Sequence, residues 1–367
     1  MTLEEKRKAL AKVKGDIEKK HGKGMLIKAS DVEPIAFYST GIPSIDTVLG
    51  GGWKIGGIGS CYGEFSSGKS TLAYQTIAYN QKINPDFCAL ILDQESSFTK
   101  EYALSLGCDL DRLDVIPSDE AEKNLDTLRT LINSGVYNFV LVDSSNALVP
   151  QTELAKDVSS TASIGTVAKL LSVFTRMVLG PLNKTKTHLL FIEQTRADIN
   201  AVKMPGMPEK VTVGCGKAVG YFCSQRLELK RGKPITKGKD ANGNDIVVGM
   251  GTKVKCVKNK VAKPMMKVEP CISFGKGYDV DLDNELFIIN SGVIERLNNV
   301  KWAYTASNGE VIEIKGKDNI ISTIREKGLF DEVLNKAKEK VYNNTDNNSE
   351  YGLDLLEEEN KEITTED

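Results

Sequence analysis

A run of eight consecutive residues has the types and the spacing that bind a nucleotide phosphate. It extends from Gly63 to Ser70, reads GEFSSGKS and fits the P-loop pattern G-x-x-x-x-G-K-[ST]. Glycines at these positions let backbone N–H groups curl round a phosphate, and the N-terminus of a following helix adds partial positive charge. We therefore expect Lys69 to reach the β- and γ-phosphates of ATP and the Ser70 hydroxyl to bind Mg²⁺. The expected nucleotide-binding set at this loop is Gly63, Ser66, Ser67, Gly68, Lys69, Ser70 and Thr71.

Three further polar residues follow apolar runs that predict buried strands. Asp143 ends the first run, which is the Walker B arrangement, and would hold Mg²⁺ partly through water. Glu95 follows the second run and could polarise an attacking water. Gln194 follows the third run and could sense the γ-phosphate. Because ligands bind at the carboxyl ends of strands in doubly wound sheets, we expect all three near the P-loop.

The elements that must position these residues alternate between apolar runs and amphipathic helical stretches. A strand is predicted at residues 58–62 before the P-loop and a helix at residues 71–83 after it, as the motif requires. Amphipathic spacing predicts further helices, among them residues 121–132 and 165–178. This alternation predicts an α/β fold in which a mostly parallel sheet is covered by helices on both faces.

The pattern changes after residue 225, where apolar residues recur with period two. The turn signal Asn242-Gly243 lies between two such runs, which predicts an antiparallel ribbon added to the parallel sheet. Residues 279–342 predict a small α+β domain that closes with a single helix over residues 319–342.

Both ends of the chain are strongly charged. Residues 2–21 predict a basic amphipathic helix that is either a solvated terminal helix or an arm that packs on another subunit. Residues 343–367 are rich in Asn, Asp, Glu and Ser, which predicts a disordered acidic tail.

The composition excludes several classes of protein. The 367-residue chain has a formal net charge of −2, so bulk charge indicates no partner. Its seven cysteines form no C-x-x-C pair, which favours reduced thiols in the cytosol, and its two histidines are too few for a metal cluster. We find no signal peptide and no apolar run of about 18 residues, so we expect a cytoplasmic protein without a membrane partner.

Two segments with little periodicity, residues 153–163 and 195–217, are candidate ligand-binding loops. The second begins directly after Gln194 and contains four basic residues, Arg196, Lys203, Lys210 and Lys217. A loop of this length in a compact domain is usually functional, and its charge favours a polyanion. An ordinary lid over the nucleotide is the alternative.

With these residues identified, the chain resembles the bacterial and phage RecA recombinases over nearly its full length. The stretches that carry the resemblance include the P-loop, Val142-Asp143-Ser144, Gln194 with Arg196, and Lys301-Trp302-Ala303-Tyr304. The stretch Val257-Lys258-Asn259-Lys260 is more specific than the P-loop, which many ATPases share. The resemblance implies a RecA-like P-loop ATPase core.

The resemblance also implies roles for residues outside the P-loop. Glu95 matches the catalytic glutamate, Tyr102 matches a tyrosine that stacks on adenine, and Ser144 follows the Walker B aspartate. Lys258 and Lys260 match lysines that cross the subunit interface to the γ-phosphate of the next protomer. The implied catalytic set is Glu95, Lys69, Gln194, Lys258 and Lys260.

The implied DNA-binding residues fall into three groups. Ile164 and Ile199 fall in the two loops, at about residues 153–165 and 195–217, where the family wedges apolar residues between base triplets. Lys169 and Arg176 follow the first loop, and Arg196 opens the second. The basic residues of the ribbon match a weaker second DNA site: Lys230, Arg231, Lys253 and Lys255.

Three positions depart from the family pattern. Glu193 stands where the family usually has asparagine, and Gly220 replaces a usual interface lysine beside the aromatic Tyr221. Phe65 in the P-loop is bulkier than the usual small residue. We expect these departures to affect details of the activity and not the fold or the type of reaction.

The resemblance implies four parts and several partners. The parts are an oligomerisation helix and strand at residues 1–33, an ATPase core at 34–278, an α+β domain at 279–342 and the tail at 343–367. The partners are single-stranded DNA, duplex DNA and further copies of the chain in a helical filament, with ATP and Mg²⁺ as cofactors. A LexA-type repressor in the SOS response and a nucleoid-associated location are further implications.

The leading hypothesis is an ATP-dependent recombinase that pairs homologous DNA and exchanges strands. A nucleotide-dependent filament that acts as a recombination mediator or scaffold without exchange is the first alternative. A small-molecule P-loop kinase is the second, and the long basic loops disfavour it. DNA-stimulated ATP hydrolysis separates the first hypothesis from both alternatives.

Overall fold

The computed structural model describes residues 1–22, 24, 26–155, 157, 165–197, 211–213, 218–240 and 242–343. The predicted residues Ile164 and Ile199, the middle of both loops and the acidic tail from residue 344 lie outside the described residues. The chain divides into two compact units, Met1–Ala36 and Phe37–Asp367.

The first unit contains one long helix, α1 (Leu3–His21), as the basic amphipathic pattern predicted. Thr2 and Glu5 form a capping box, and Gly22 ends the helix with a φ of 92° that favours glycine. The apolar stripe of α1 stays exposed, with Leu10 at 54% and Val13 at 51% of full exposure. This stripe has therefore not been buried within its own unit.

The second unit holds the other helices and the strands of the described residues. Its helices are α2 (Pro43–Leu49), α3 (Lys69–Ile83), α4 (Lys100–Ser105), α5 (Ala121–Ser134), α6 (Gln151–Leu154), α7 (Thr166–Thr185), α8 (Ala218–Phe222), α9 (Val280–Asn290), α10 (Ile320–Glu326) and α11 (Phe330–Asn343). Its strands in the first half are β1 (Phe37–Tyr38), β2 (Trp53–Lys54), β3 (Ile58–Gly63), β4 (Ala89–Asp93), β5 (Leu113–Ile116), β6 (Phe139–Asp143) and β7 (His188–Ala197). Those in the second half are β8 (Val211–Val213), β9 (Gln225–Lys239), β10 (Asp245–Asn259), β11 (Lys267–Val268), β12 (Cys271–Ser273), β13 (Gly277–Tyr278), β14 (Glu295–Arg296), β15 (Lys301–Thr305) and β16 (Val311–Lys315).

The central sheet has the strand order β13-β12-β10-β9-β3-β7-β6-β4-β5. The strands from β9 to β5 are parallel, and β10 and β12 continue the sheet with antiparallel pairing. The predicted mostly parallel sheet with an antiparallel ribbon is therefore confirmed. Parallel pairing places the carboxyl ends of β3, β4, β6 and β7 at one edge.

Each face of this sheet is covered by its own hydrophobic cluster. One cluster joins β4 through Ile91 to Leu72 of α3. The other joins β4 through Leu90 to Leu125 of α5 and Leu171 of α7. Consecutive residues of one strand thus enter opposite clusters, which explains the continuous apolar runs in the sequence.

Two predictions about loops and helices were too simple. The predicted helix over residues 165–178 continues to Thr185, because buried Leu182 extends its apolar face past Pro181. The segment after Gln194 was predicted to lack regular structure, yet β7 runs on to Ala197 and pairs antiparallel with β8. The pairing of Thr195 with Val213 closes the base of that loop.

The C-terminal part of the second unit is an α+β arrangement with its own core. A three-stranded sheet, β14-β15-β16, packs with α9, α10 and α11 around Ile288, Ile314 and Val333. The single helix predicted over residues 319–342 is wrong, since α10 and α11 are separate. Gly328 lies between them with a φ of 68°, which stops the first helix.

Candidate functional site

The P-loop joins the end of β3 to the start of α3. Gly68 precedes α3 with a φ of 88°, so the loop reaches the helix through a conformation that suits glycine. The Lys69 ammonium donates hydrogen bonds to the carbonyl oxygens of Gly63 at 3.2 Å and Glu64 at 2.5 Å. Burial lowers the pKa of Lys69. The lysine therefore lies folded along the inner side of the loop, where the motif predicts a phosphate.

The glycine spacing is also required by packing around the loop. A Cβ atom on Gly63 would lie 2.0 Å from the carbonyl oxygen of Leu229, and one on Gly68 would lie 2.4 Å from a methyl carbon of Ile272. Both distances are too short for any side chain. The ribbon strands β9 and β12 therefore pack directly against the loop and fix its shape.

Ser70 and Asp143 meet at the carboxyl edge of the sheet, as predicted. The Ser70 hydroxyl donates to Oδ2 of Asp143 at 2.7 Å. Asp143 is 4% exposed, and burial raises its pKa to about 6. A hydroxyl and a buried carboxylate are oxygen ligands of the kind that Mg²⁺ prefers. The residues present therefore fit a bound magnesium ion.

Glu95 and Gln194 are brought into direct contact, which the sequence did not predict. The Gln194 side-chain amide donates to Oε1 of Glu95, and the Ser144 hydroxyl donates to the same oxygen. Asn146 holds the Gln194 backbone from both sides, since its Oδ1 accepts from Gln194 N at 2.9 Å and its Nδ2 donates to Gln194 O at 3.2 Å. The proposed base and the proposed sensor thus form one network with the turn after β6.

Asn146 was missed in the sequence. It follows Asp143 by three residues, in the short turn that ends the Walker B strand. A polar residue in such a turn is common, so position alone carries little signal. Its function becomes visible only through the strand pairing that brings β7 beside β6.

Tyr102 lies beside the first turn of α3. Its hydroxyl is 2.6 Å from Oγ1 of Thr71, and its ring centroid is 5.9 Å from that of Tyr74. The side chain is thus tied to the residue directly after the P-loop motif. This placement fits an aromatic surface near the nucleotide, and its role in adenine stacking stays a prediction.

Lys258 and Lys260 lie at the end of β10, beside α8. The Lys258 ammonium donates to the carbonyl oxygens of Gly220 at 2.7 Å and Tyr221 at 3.0 Å. Burial lowers the pKa of Lys258. Lys260 is exposed, and its backbone amide donates to Ser224 at 2.8 Å. The strand end therefore carries one partly buried cation and one exposed cation.

The residue between the two lysines fastens this strand end. Asn259 donates to the last carbonyl oxygens of α2, at Val48 and Leu49, and accepts from the amides of Val261 and Ala262. These four bonds tie β10 to α2 and form the turn that follows. The positions of both lysines thus depend on a side chain that points away from them.

The basic residues of the ribbon have different surroundings. Arg231 forms an ion pair with Glu64 at 3.4 Å, and its guanidinium lies 4.8 Å from the Phe65 ring centroid. Lys230 pairs with Glu228, while Lys253 lies opposite Lys230 across the β9–β10 ladder. Arg231 therefore belongs to the surface predicted to bind DNA and also contacts the P-loop.

The remaining predicted DNA-binding residues are only partly described. Lys169 and Arg176 are exposed on α7. Lys255 lies on β10 opposite Glu228. Arg196 lies on β7, and its side chain is outside the described part of the structure. None of these residues is placed against a nucleic acid here, so their roles stay predictions.

Comparisons with known proteins identify relatives of this chain. The family model described as the RecA N-terminal domain matches residues 8–279. Protein RecA of Thermotoga maritima is 34% identical over 363 residues, covering 97% of this chain and 95% of the relative. Protein RecA of Bacteroides thetaiotaomicron is 36% identical over 345 residues, covering 92% of this chain and all of the relative. The crystal structure of the RadB recombinase is 20% identical and covers 66% of this chain and 98% of its own, with a TM-score of 0.47.

Proposed function

The chain belongs to the RecA family, and on that premise we propose that it hydrolyses ATP at a site shared by neighbouring subunits of a filament. It is an ATP-dependent DNA recombinase and a DNA-dependent ATPase. The observation that supports ATP hydrolysis at this site is the contact of Glu95 with Gln194 at the strand edge beside the P-loop. That contact joins a candidate base to a candidate γ-phosphate sensor.

Within one subunit, the P-loop residues bind the phosphates of ATP. The Lys69 ammonium exchanges its backbone carbonyl partners for phosphate oxygens. Ser70 and Asp143 would hold Mg²⁺, partly through water, and the ion would supply positive charge beside the phosphates. Tyr102 covers the adenine.

Glu95 orients and deprotonates the attacking water. The water oxygen bonds to the γ-phosphorus as the bond to the β–γ bridging oxygen breaks, and the water proton passes to Glu95. Ser144 and Gln194 hold the Glu95 carboxylate in place before ATP binds. When Gln194 turns toward the γ-phosphate, it leaves Glu95 with one fewer hydrogen bond and carries the signal along β7 into the second loop.

Lys258 and Lys260 act on the ATP of the next subunit. Both lie at the end of β10 beside α8, and Lys258 is held by carbonyl groups rather than by a carboxylate. Its charge is thus available to a phosphate. Positive charge supplied by a neighbour would make hydrolysis depend on polymerisation, as an arginine finger does elsewhere.

The exposed basic residues bind DNA. Lys169 and Arg176 on α7, with Arg196 and the loop residues Ile164 and Ile199, contact the single strand. Lys230, Arg231, Lys253 and Lys255 form a weaker site for duplex DNA. Since phosphate contacts dominate such binding, affinity should fall steeply with salt.

The ends of the chain serve assembly and regulation. The exposed stripe of α1 packs on a neighbouring subunit, and the acidic tail competes with DNA for basic surfaces. Among the described residues, no helix is both long enough and apolar enough to cross a membrane. A cytoplasmic, nucleoid-associated location and a LexA-type repressor as a partner complete the proposal.

Strand exchange between a homologous circular single strand and a linear duplex tests the function. We expect joint molecules with ATP and Mg²⁺, and none with a heterologous duplex. ATP hydrolysis measured with and without single-stranded DNA is the companion assay. Absence of joint molecules with any nucleotide, together with unstimulated hydrolysis, would favour the scaffold alternative.

A further inference from the structure

A buried acid–base pair links three neighbouring strands on the sheet face that α8 covers. Glu193 of β7 is fully buried, and its Oε1 accepts a hydrogen bond from Arg226 Nη2 at 3.1 Å. The Ser60 hydroxyl donates to the same oxygen, and the guanidinium lies 4.6 Å from the Tyr62 ring centroid. The pair thus spans β7, β3 and β9 through side chains that point to one face.

Gly220 of α8 leaves the space that the guanidinium occupies. A Cβ atom on Gly220 would lie 2.3 Å from Arg226 Nη1, closer than any real contact. Its backbone does not have a positive φ, so an added Cβ would conflict with the volume of the guanidinium and not with the backbone conformation. A side chain at position 220 would displace the flexible end of Arg226, and we expect this shift to weaken its hydrogen bond to Glu193.

The pair lies between two residues of the proposed reaction. Glu193 directly precedes Gln194, whose side chain binds Glu95. On the other side, the Gly220 carbonyl oxygen accepts from the Lys258 ammonium at 2.7 Å. Arg226 and Lys258 are also register partners in the β9–β10 ladder. A chain of contacts within one subunit thus joins Gln194, the proposed γ-phosphate sensor, to Lys258, the cation proposed to act on the ATP of the next subunit.

The hydrogen-bonding capacity of the Glu193–Arg226 pair is only partly used. Glu193 Oε2 and Arg226 Nε both lack a hydrogen-bond partner among the described residues. Buried ion pairs stabilise a fold only when their remaining polar atoms are satisfied, and apolar replacements are often as stable. Stability alone is therefore a weak explanation for this arrangement.

We propose that Glu193, Arg226 and Gly220 form one positioning unit, which sets Gln194 and Lys258 relative to each other across the subunit. The inference rests on the proposed roles of those two residues. Glu193 and Gly220 are two of the positions that depart from the family pattern. The proposed unit explains them together, because Glu193 binds the guanidinium of Arg226 and Gly220 leaves room for it.

The test is a double-mutant comparison at Gly220. Gly220→Ala is made in the wild-type chain and in a Glu193→Gln/Arg226→Gln background, where the shorter side chain at 226 leaves space. Gly180→Ala is the matched control, since Gly180 lies inside α7 with no atom within 4 Å of the added Cβ. The first measurements are kcat and KM for ATP in the presence of single-stranded DNA. The second is the salt concentration at which the protein, bound to DNA with an ATP analogue, dissociates. The third is the thermal midpoint of unfolding.

In the wild-type chain, Gly220→Ala should lower kcat by about tenfold and change KM for ATP by less than about twofold. It should also lower the salt concentration at which the protein dissociates from DNA. In the neutral background it should change kcat by less than about twofold. Gly180→Ala should match the wild type in kcat, in KM for ATP and in the salt concentration needed for dissociation, and its thermal midpoint should be equal or higher because alanine favours a helix. Equal effects of Gly220→Ala in both backgrounds, or no effect in the wild-type chain, would overturn the inference.

Two further variants keep the test decisive. If Gly220→Ala does not fold, Glu193→Gln replaces it, because it retains the volume and weakens the bond to Arg226. It should lower kcat in the same direction, and wild-type values would contradict the positioning unit. Lys258→Ala separates the two proposals: if it leaves kcat unchanged, the proposed role of Lys258 is wrong, whereas loss of kcat there with a normal Gly220→Ala variant refutes only the inference.

Discussion

Asp143 shows how burial sets the chemistry of a single residue. Its carboxyl group is 4% exposed, and desolvation raises its pKa to about 6 although the Ser70 hydroxyl bond opposes the shift. The carboxylate must lose its proton to hold a cation. The proposed binding of Mg²⁺ at Asp143 would therefore depend on pH close to about 6.

We predict that the affinity for ATP with Mg²⁺ falls as pH drops below about 6, because the proton on Asp143 then competes with the metal. Titration calorimetry of the wild type and Asp143→Asn between about pH 5 and about pH 8 measures this. The variant should bind weakly with a shallower pH dependence, since only the nucleotide itself then titrates. Parallel pH profiles for the two proteins would contradict the assignment of Asp143 as a metal-binding group.

Lys69→Ala should abolish tight, nucleotide-dependent binding to single-stranded DNA. The substitution removes the buried ammonium that contacts Gly63 and Glu64 along the inner side of the P-loop. Fluorescence anisotropy of labelled DNA with an ATP analogue measures the loss. Lys82→Ala, on the exposed side of the same helix, is the control. Binding that remains tight and responsive to the analogue would show that the phosphate site lies elsewhere.

At the scale of elements, the central feature is the meeting of three strand ends. Parallel pairing places the ends of β4, β6 and β7 in register, with Asp93 opposite Asp143. Glu95 and Gln194, which are 99 positions apart, can therefore share a hydrogen bond. The antiparallel strand β10 supplies the two proposed catalytic lysines at its end, on either side of Asn259.

We predict that Asn259→Ala lowers the free energy of unfolding by about 1–3 kcal/mol, since the carbonyl of Val48 and the amides of Val261 and Ala262 lose their bond to this side chain at a partly buried site. It should also lower kcat, because the end of β10 then loses its attachment to α2. Urea unfolding and ATP hydrolysis with DNA are the two measurements.

Asn298→Ala is the matched control, since Asn298 accepts from two turn amides, those of Val300 and Lys301, at an exposed site. It should change the free energy of unfolding by about 0.5 kcal/mol or less and leave kcat unaltered. If the two variants lose equal stability and equal activity, Asn259 has no special part in placing the lysines.

At the scale of the whole molecule, the proposed active site is divided between subunits. A head-to-tail interface uses different surfaces of each copy, so it forms rings or open filaments rather than two-fold symmetric pairs. Each interface would combine Lys69, Ser70, Asp143 and Glu95 of one subunit with Lys258 and Lys260 of the next. Two defective chains can therefore complement each other.

Equal amounts of Lys69→Ala and Lys258→Ala chains should recover about a quarter of the wild-type ATPase rate when mixed on DNA, because about a quarter of random interfaces combine two intact halves. Each chain alone should be nearly inactive. A mixture of Lys69→Ala with Asp143→Asn is the control, since both changes fall on the same half of the interface. Equal recovery in both mixtures, or none in the first, would contradict a shared site.

The local part of the site was predictable from the sequence. The P-loop pattern fixes a strand, a glycine turn and a helix within a few residues, so the positions of Lys69 and Ser70 follow from short-range geometry. Apolar runs ending in Asp143, Glu95 and Gln194 likewise indicated buried strands with functional ends, and both the sheet and its ribbon are confirmed. The break at Gly328 was missed, because a single glycine within a helical pattern does not by itself end a helix.

Only the tertiary structure decided which of these residues touch. The hydrogen bond between Gln194 and Glu95, the Asn146 clamp and the attachment of Asn259 to α2 join positions that are distant in the chain. Glu193 appeared in the sequence as an isolated departure, and Gly220 as another. The strand order brings Glu193 beside Arg226, and the absence of a side chain at Gly220 leaves space for the guanidinium. Sequence periodicity reports which face a residue occupies, whereas contacts across a sheet depend on strand order and register, which follow from the packing of the whole domain.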